Sequence, residues 1–159
     1  MARLDLPTSP RTSVFRAIVQ ILRNDPVLSA TCRTILAWEG KPTDGQPLTL
    51  AMAPALRITP ANGPNQWTYP EAFRGDLYLN VEVLVSGYDY DDLLNLWWAV
   101  QRAIYPKGQS MAIVLQLQQA GAHSGLCEFT LPVFDPAPES NYFHASGQLK
   151  ITVLEQLST

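Results

Sequence analysis

The alternation of apolar and polar side chains is sharpest between Asp76 and Val85. Leu77, Leu79, Val81, Val83 and Val85 alternate with Asp76, Tyr78, Asn80, Glu82 and Leu84. A period of two sets one apolar face on a core and leaves a mostly polar face outside, so the segment is predicted as a strand. Gly87 then permits a turn, and Asp89, Asp91 and Asp92 supply cap and first-turn carboxylates for a following helix. In that helix Trp97 and Trp98 join Leu93, Leu94, Val100 and Ile104 in an apolar stripe wider than a narrow core face needs. Either both indoles are core, or one faces a partner subunit. Pro106 stops the helix, and Arg102 and Lys107 suit its negative end.

The remaining segments are read the same way. Ser9 and Pro10 form a cap and first helical position, and Val14, Phe15, Ile18, Ile21 and Leu22 recur at helical spacing, predicting a helix over 10–25. Asp25-Pro26 ends it, since a residue before proline is pushed out of the helical region, and 26–33 suggests a second short helix. Leu48–Met52 and Ala55–Thr59 are short strand candidates, interrupted by Pro54 and closed by Pro60, which suggests an edge strand or a bulge. Met111–Leu117, Cys127–Val133 and Leu149–Val153 alternate as strands, with 119–125 as a hairpin loop. Two long connections remain, 61–75 and 135–147. The sum is an α+β fold, an antiparallel or mixed sheet of about four to five strands with helices packed on one face. A single domain over 1–159 is expected, with the sheet and central helix in 48–157.

Composition narrows the function. A chain of 159 residues with 47% hydrophobic residues can bury a core without staples. Its formal net charge of −3, with dispersed Lys and Arg, argues against a face built to grip a nucleic-acid backbone. Cys32 and Cys127 form no Cys-x-x-Cys motif and read as reduced thiols. The first ten residues lack the apolar core of a signal peptide, and no apolar run reaches the length of a membrane span. No membrane association is expected.

Catalytic chemistry finds no footing. Asp89, Asp91 and Asp92 lack the further ligands of a calcium loop, and a helix N-terminus accounts for them. His123 and His144 fall in segments read as solvent-exposed loops, with no partner nucleophile or carboxylate implied by spacing. No glycine-rich phosphate loop occurs. Catalytic residues, metal ligands and cofactors are therefore expected to be absent. The connection 61–75 is long for a structureless loop and carries Trp67, Tyr69, Phe73 and Arg74, residue types that anchor interfaces. Tyr142 and Phe143 give the second connection a similar character. These six are the candidate interface residues, although the rings of 61–75 could equally fold back over the core edge.

The order of pieces resembles a family. The helix Val14–Asn24 ends in Asn-Asp-Pro-Val-Leu (Asn24 to Leu28), and a proline-flanked strand follows, Pro54-Ala-Leu-Arg-Ile-Thr-Pro60. The strong strand Leu77–Val85 ends in Ser-Gly, runs into Asp-Asp-Leu-Leu (Asp91 to Leu94), and its helix ends in Ala-Ile-Tyr-Pro (Ala103 to Pro106). This layout, over about residues 12–106, is similar to that of tail terminator, or tail completion, and neck proteins of long-tailed bacteriophages. The resemblance implies a structural virion subunit, assembled in the host cytoplasm, that forms a homo-hexameric ring at the head-proximal end of the tail. The ring would cap the tail tube protein and present a surface to a neck (head completion) protein, with DNA passing through its lumen unread. It implies no catalytic residues. Its alternatives are a head-side neck or connector subunit and a small α+β enzyme or ligand-binding domain.

Overall fold

A computed structural model of the chain describes residues 4–39, 41, 44–61, 65–69, 72–87, 90–105, 122–129, 133–137 and 142–156. For 65–69, 72–76, 122–129, 133–137, 142 and 154–156 the description is of the backbone. The elements are helices α1 (Pro10–Asn24), α2 (Pro26–Thr31) and α3 (Tyr90–Ile104), and strands β1 (Thr34–Ala37), β2 (Ala55–Ala61), β3 (Asn65–Tyr69), β4 (Ala72–Ser86), β5 (Ala122–Phe129), β6 (Val133–Ala137) and β7 (Tyr142–Gln156). The fold is α+β.

Among the described residues, seven strands lie in five rows. The row order is β1, β2, β4, β7, β5, with β3 beside β4 and β6 beside β7. β2 and β3 both run antiparallel to β4 on the same edge, Ala61 opposite Tyr78 and then Asn65 opposite Gly75. The other edge of β7 is shared likewise by β5, with Phe129 opposite Leu149, and β6, with Val133 opposite Ser146. The sheet is therefore two long hairpins joined through β4 and β7, which pair without interruption from Ala72–Gln156 to Ser86–Tyr142. Fifteen residues at the rise of an antiparallel strand give a spine roughly 50 Å long. β1 alone is parallel to its neighbour, which makes the sheet mixed.

Local chemistry places the helices. The Ser9 hydroxyl accepts from the Thr12 amide at 3.2 Å and caps α1. Asp25 ends α1 and starts α2, its carboxylate accepting from the amides of Val27 and Leu28 at 3.0 and 2.9 Å. One residue thus stops a helix before proline and caps the next. Gly87 turns the chain from β4 toward α3 with φ +117, a conformation that a side chain disfavours. The main core joins Val14, Ile18 and Leu22 of α1 and Leu93, Trp97 and Val100 of α3 to Leu79, Val81 and Val83 of β4 and Leu149 and Ile151 of β7. Each fully buried aliphatic side chain there is worth about 1.5–3 kcal/mol.

Several expectations change. The connections 61–75 and 135–147 are not loops: the first holds β3 and the start of β4, the second β6 and the start of β7. Aromatic and β-branched residues such as Trp67, Thr68, Tyr69 and Phe73 suit a strand, and the paired hairpin satisfies their backbone groups. The chain does not reverse after Ala61 but keeps its direction from β2 into β3. Residues 122–125 belong to β5 rather than to a hairpin loop, so His123 and His144 both sit on strands. Leu48–Met52 is no strand; Leu50–Met52 makes a single tight helical turn. The four-residue strand β1 is too short for its alternation to stand out in sequence. β2 is an inner row, and its Pro60 is tolerated because β1 ends opposite Ile58 and leaves that side open. The strand expected over 111–117 and the cap residue Asp89 lie outside the described residues.

Candidate functional site

Helix α3 carries the most conspicuous exposed apolar surface. At 100° per residue, Leu93, Leu96, Trp97, Val100, Ala103 and Ile104 form the face turned to the sheet, and all are buried. Tyr90, Leu94, Trp98 and Tyr105 form a second stripe beside it and are exposed. The adjacent indoles divide between the two: Trp97 is 3% exposed and Trp98 is 60% exposed. The apolar arc of this helix is thus one core face plus one unburied face. Its N-terminal end is anchored where Tyr90 meets Phe143 edge-on, with centroids 5.6 Å apart.

The six candidate interface residues divide between the two ends of the spine. Trp67 lies opposite Phe73 and Tyr69 opposite Ala72 in the β3–β4 hairpin, with Arg74 opposite Gln66. Tyr142 and Phe143 lie at the start of β7, opposite Ser86 and Val85. Twelve residues of β4 separate Phe73 from Val85, which is roughly 40 Å along a strand. The structure therefore does not bring the six together. It joins Phe143 to the helix stripe and sets the Trp67 hairpin at the opposite end.

The sheet face away from α1 and α3 buries a small apolar cluster, Leu84 with Ala53 and Ala55, and carries a cluster of charged groups beside it. Arg57 on β2 lies directly opposite Glu82 on β4. Its guanidinium donates from Nε to Glu82 Oε2 at 2.6 Å, with Nη2 at 2.6 Å from the same oxygen. Its Nη1 donates to the Gln46 carbonyl. His144 on β7 lies diagonally across, its Nε2 3.4 Å from Glu82 Oε1. The hydrogen bond from His144 and the two from Arg57 hold the Glu82 carboxyl down at about 2 against the resistance of its burial. His144 is therefore no solvent-exposed loop residue; it is half-buried against a carboxylate. The three residues come from three strands, and no sequence spacing could have paired them.

A concavity of about 600 Å³ runs between α1 and the chain that leaves β1. Phe15, Val19 and Trp38 give it apolar walls, and Arg16 and Glu39 line it as charged groups. Glu39 pairs with Arg23 and with Lys41 at 3.2 Å. Cys32 is a free thiol, half-buried, and burial pushes it up to about 11, which leaves it protonated and unreactive at neutral pH. Among the described residues no group of three His, Cys, Asp or Glu is placed to hold a metal ion. No helix of the described residues is long and apolar enough to cross a membrane.

The sequence pattern makes Trp98 ambiguous, counts Leu94 in the same wide stripe and does not add Tyr90 or Tyr105 to it. Its signal was present: Tyr90, Leu94 and Trp98 recur every four residues beside the core positions. No family model and no curated protein matches the chain. Among solved structures, the chain is similar to one from the virion of a native gene transfer agent particle, with 11% identity, 87% of this chain and 92% of that chain covered, and a TM-score of 0.47. At that score the likeness defines neither a shared fold nor a shared role.

Proposed function

We propose that this chain is a structural virion protein of the tail terminator type, a subunit of a homo-hexameric ring that caps the tail tube and meets the neck. The sequence layout over residues 12–106 suggests the class. The exposed stripe of Tyr90, Leu94, Trp98 and Tyr105 is the observation that carries an assembly role. A monomer has no use for a row of exposed rings on a helix already packed through its other apolar face, and such surfaces mark interfaces. A ring also needs two different patches on each subunit, one meeting the other on the neighbour. The helix stripe and the β3–β4 hairpin, at opposite ends of the spine, supply such a pair. In this reading Trp67 and Tyr69 anchor the hairpin on a neighbouring subunit or the tube, and Arg74 makes a polar contact. Phe143 supports the stripe through its contact with Tyr90, and Tyr142 precedes it at the start of β7. A net charge of −3 suits a lumen through which DNA slides, because clustered cations would hold it.

Reconstruction of the assembled particle tests the reading. Sixfold density for this chain between tail tube and neck is the expected result. Twelvefold symmetry at its position would sink the terminator assignment and favour a head-side connector.

A further inference from the structure

We infer that the segment Leu4–Pro7 of one copy seats Leu4 and Leu6 in the groove between α1 and Trp38 of a neighbouring copy, with Asp5 meeting Arg16. The inference rests on the proposed self-assembly of the chain and names one contact within it. Leu4 and Leu6 are 78% and 69% exposed, the highest values of any large hydrophobic side chain among the described residues. Spaced by two in a segment that is neither helix nor strand, they form a pair of anchors with Asp5 between them, and bound as an extended chain they would face one side together.

The groove complements this segment in shape and charge. Its volume of about 600 Å³ is ample for two leucine side chains, and Phe15, Val19 and Trp38 line it. Trp38, half exposed at 47%, is left as an open wall. Glu39 is already neutralised by Arg23 and Lys41, so Arg16 sets the charge of the rim. An incoming acidic residue fits that charge, and the long Arg16 side chain can reach a carboxylate that faces out of the groove while its neighbours face in.

The geometry of the arm favours a neighbour's groove over its own. Ser9 is extended at φ −72 and ψ 154, and its hydroxyl is committed to capping Thr12. Pro7 and Pro10 fix φ on either side of it, which restricts how the segment can fold back along α1. Both leucines are exposed, and neither lines the groove of its own copy.

Two single-cysteine versions of the full chain test this, with Cys32 and Cys127 replaced by Ser in both. One carries Leu6→Cys and the other Gln20→Cys, an exposed position on the groove rim. They are mixed under conditions in which the parent forms rings on the tail tube, then oxidised. A covalent dimer between the two versions is expected. Independently, Asp5→Arg should lower ring yield by about tenfold or more, and adding Arg16→Asp should restore it. Rings that form normally without the covalent dimer, or with Asp5→Arg at full yield, overturn the arm contact and leave the assembly reading standing. A parent chain that forms no ring on the tube overturns both.

Discussion

Glu82 shows how one side chain couples three strands. Its carboxylate accepts from Arg57 on β2 and from His144 on β7, and both bonds favour the charged form. The folded value of about 2 lies below the ordinary 4.5. The unfolded chain therefore binds the proton more tightly, and the stabilisation is full above about pH 4.5 and is lost as pH falls toward 2. Glu82→Gln should cost about 1.5–3 kcal/mol at neutral pH, the usual worth of a hydrogen bond to a charged group. Thermal melts of both proteins from pH 7 down to 2 check this: the gap between them should close over the acidic half of the range. A gap that stays constant with pH would mean that the carboxylate charge contributes nothing.

At the scale of the element, the proposed assembly makes α3 and the β3–β4 hairpin each separate folding from recognition. On α3, Trp97→Ala removes a core ring and should destabilise the subunit by about 3–5 kcal/mol. Trp98→Ala, one residue on, should leave stability within about 0.5 kcal/mol while weakening ring assembly by about 2 kcal/mol or more. Calorimetry of the isolated subunit and sedimentation of the assembled ring read the two quantities apart. If Trp98→Ala melts like Trp97→Ala, the stripe belongs to the core. On the hairpin, Trp67→Ala with Tyr69→Ala should keep the melting temperature of the isolated subunit and lose ring or tube binding. A large drop in melting temperature, with binding recovered on cooling, would return those rings to a structural role. The element also explains why the segment was misjudged. Its stretch 61–75 has no clean period of two, and Asn62-Gly63-Pro64 reads as a turn, yet the backbone of 65–69 pairs along β4. Pairing across the sheet supplies the hydrogen bonds that local pattern did not announce.

For the molecule as a whole, the spine formed by β4 and β7 decides what can be near what. The β3–β4 and β6–β7 hairpins end at opposite ends of the sheet, roughly 40 Å apart along β4. In the proposed assembly the two unlike patches, the helix stripe where Tyr90 meets Phe143 and the β3–β4 hairpin, favour head-to-tail contacts, which close into a ring when the rotation per subunit permits. Each proposed patch comprises only a few side chains, and interfaces below about 1,200 Å² tend to be weak or transient. The subunit is therefore expected to be monomeric in dilute solution and to assemble when the tail tube concentrates it. Analytical ultracentrifugation with and without tube distinguishes this from a ring that is stable alone.

The α+β class, the three helices and the core face of β4 were legible in the sequence because they rest on local chemistry. Period-two alternation from Leu77 to Val85 made Val81 and Val83 core, and both are fully buried. Ser9, Pro10, Asp25 and Pro26 marked helix boundaries by capping and by the constraint that proline places on the residue before it. What lay between distant segments was not legible. That β2 and β3 share one edge of β4, that β5 and β6 share one edge of β7, and that Arg57, Glu82 and His144 meet are all consequences of strand register, which no single segment encodes. The division between Trp97 and Trp98 belongs to the same class. Spacing placed both at the border of one stripe, and only the position of α3 over β4 and β7 decided which ring the sheet would cover, leaving the other for water or for a partner.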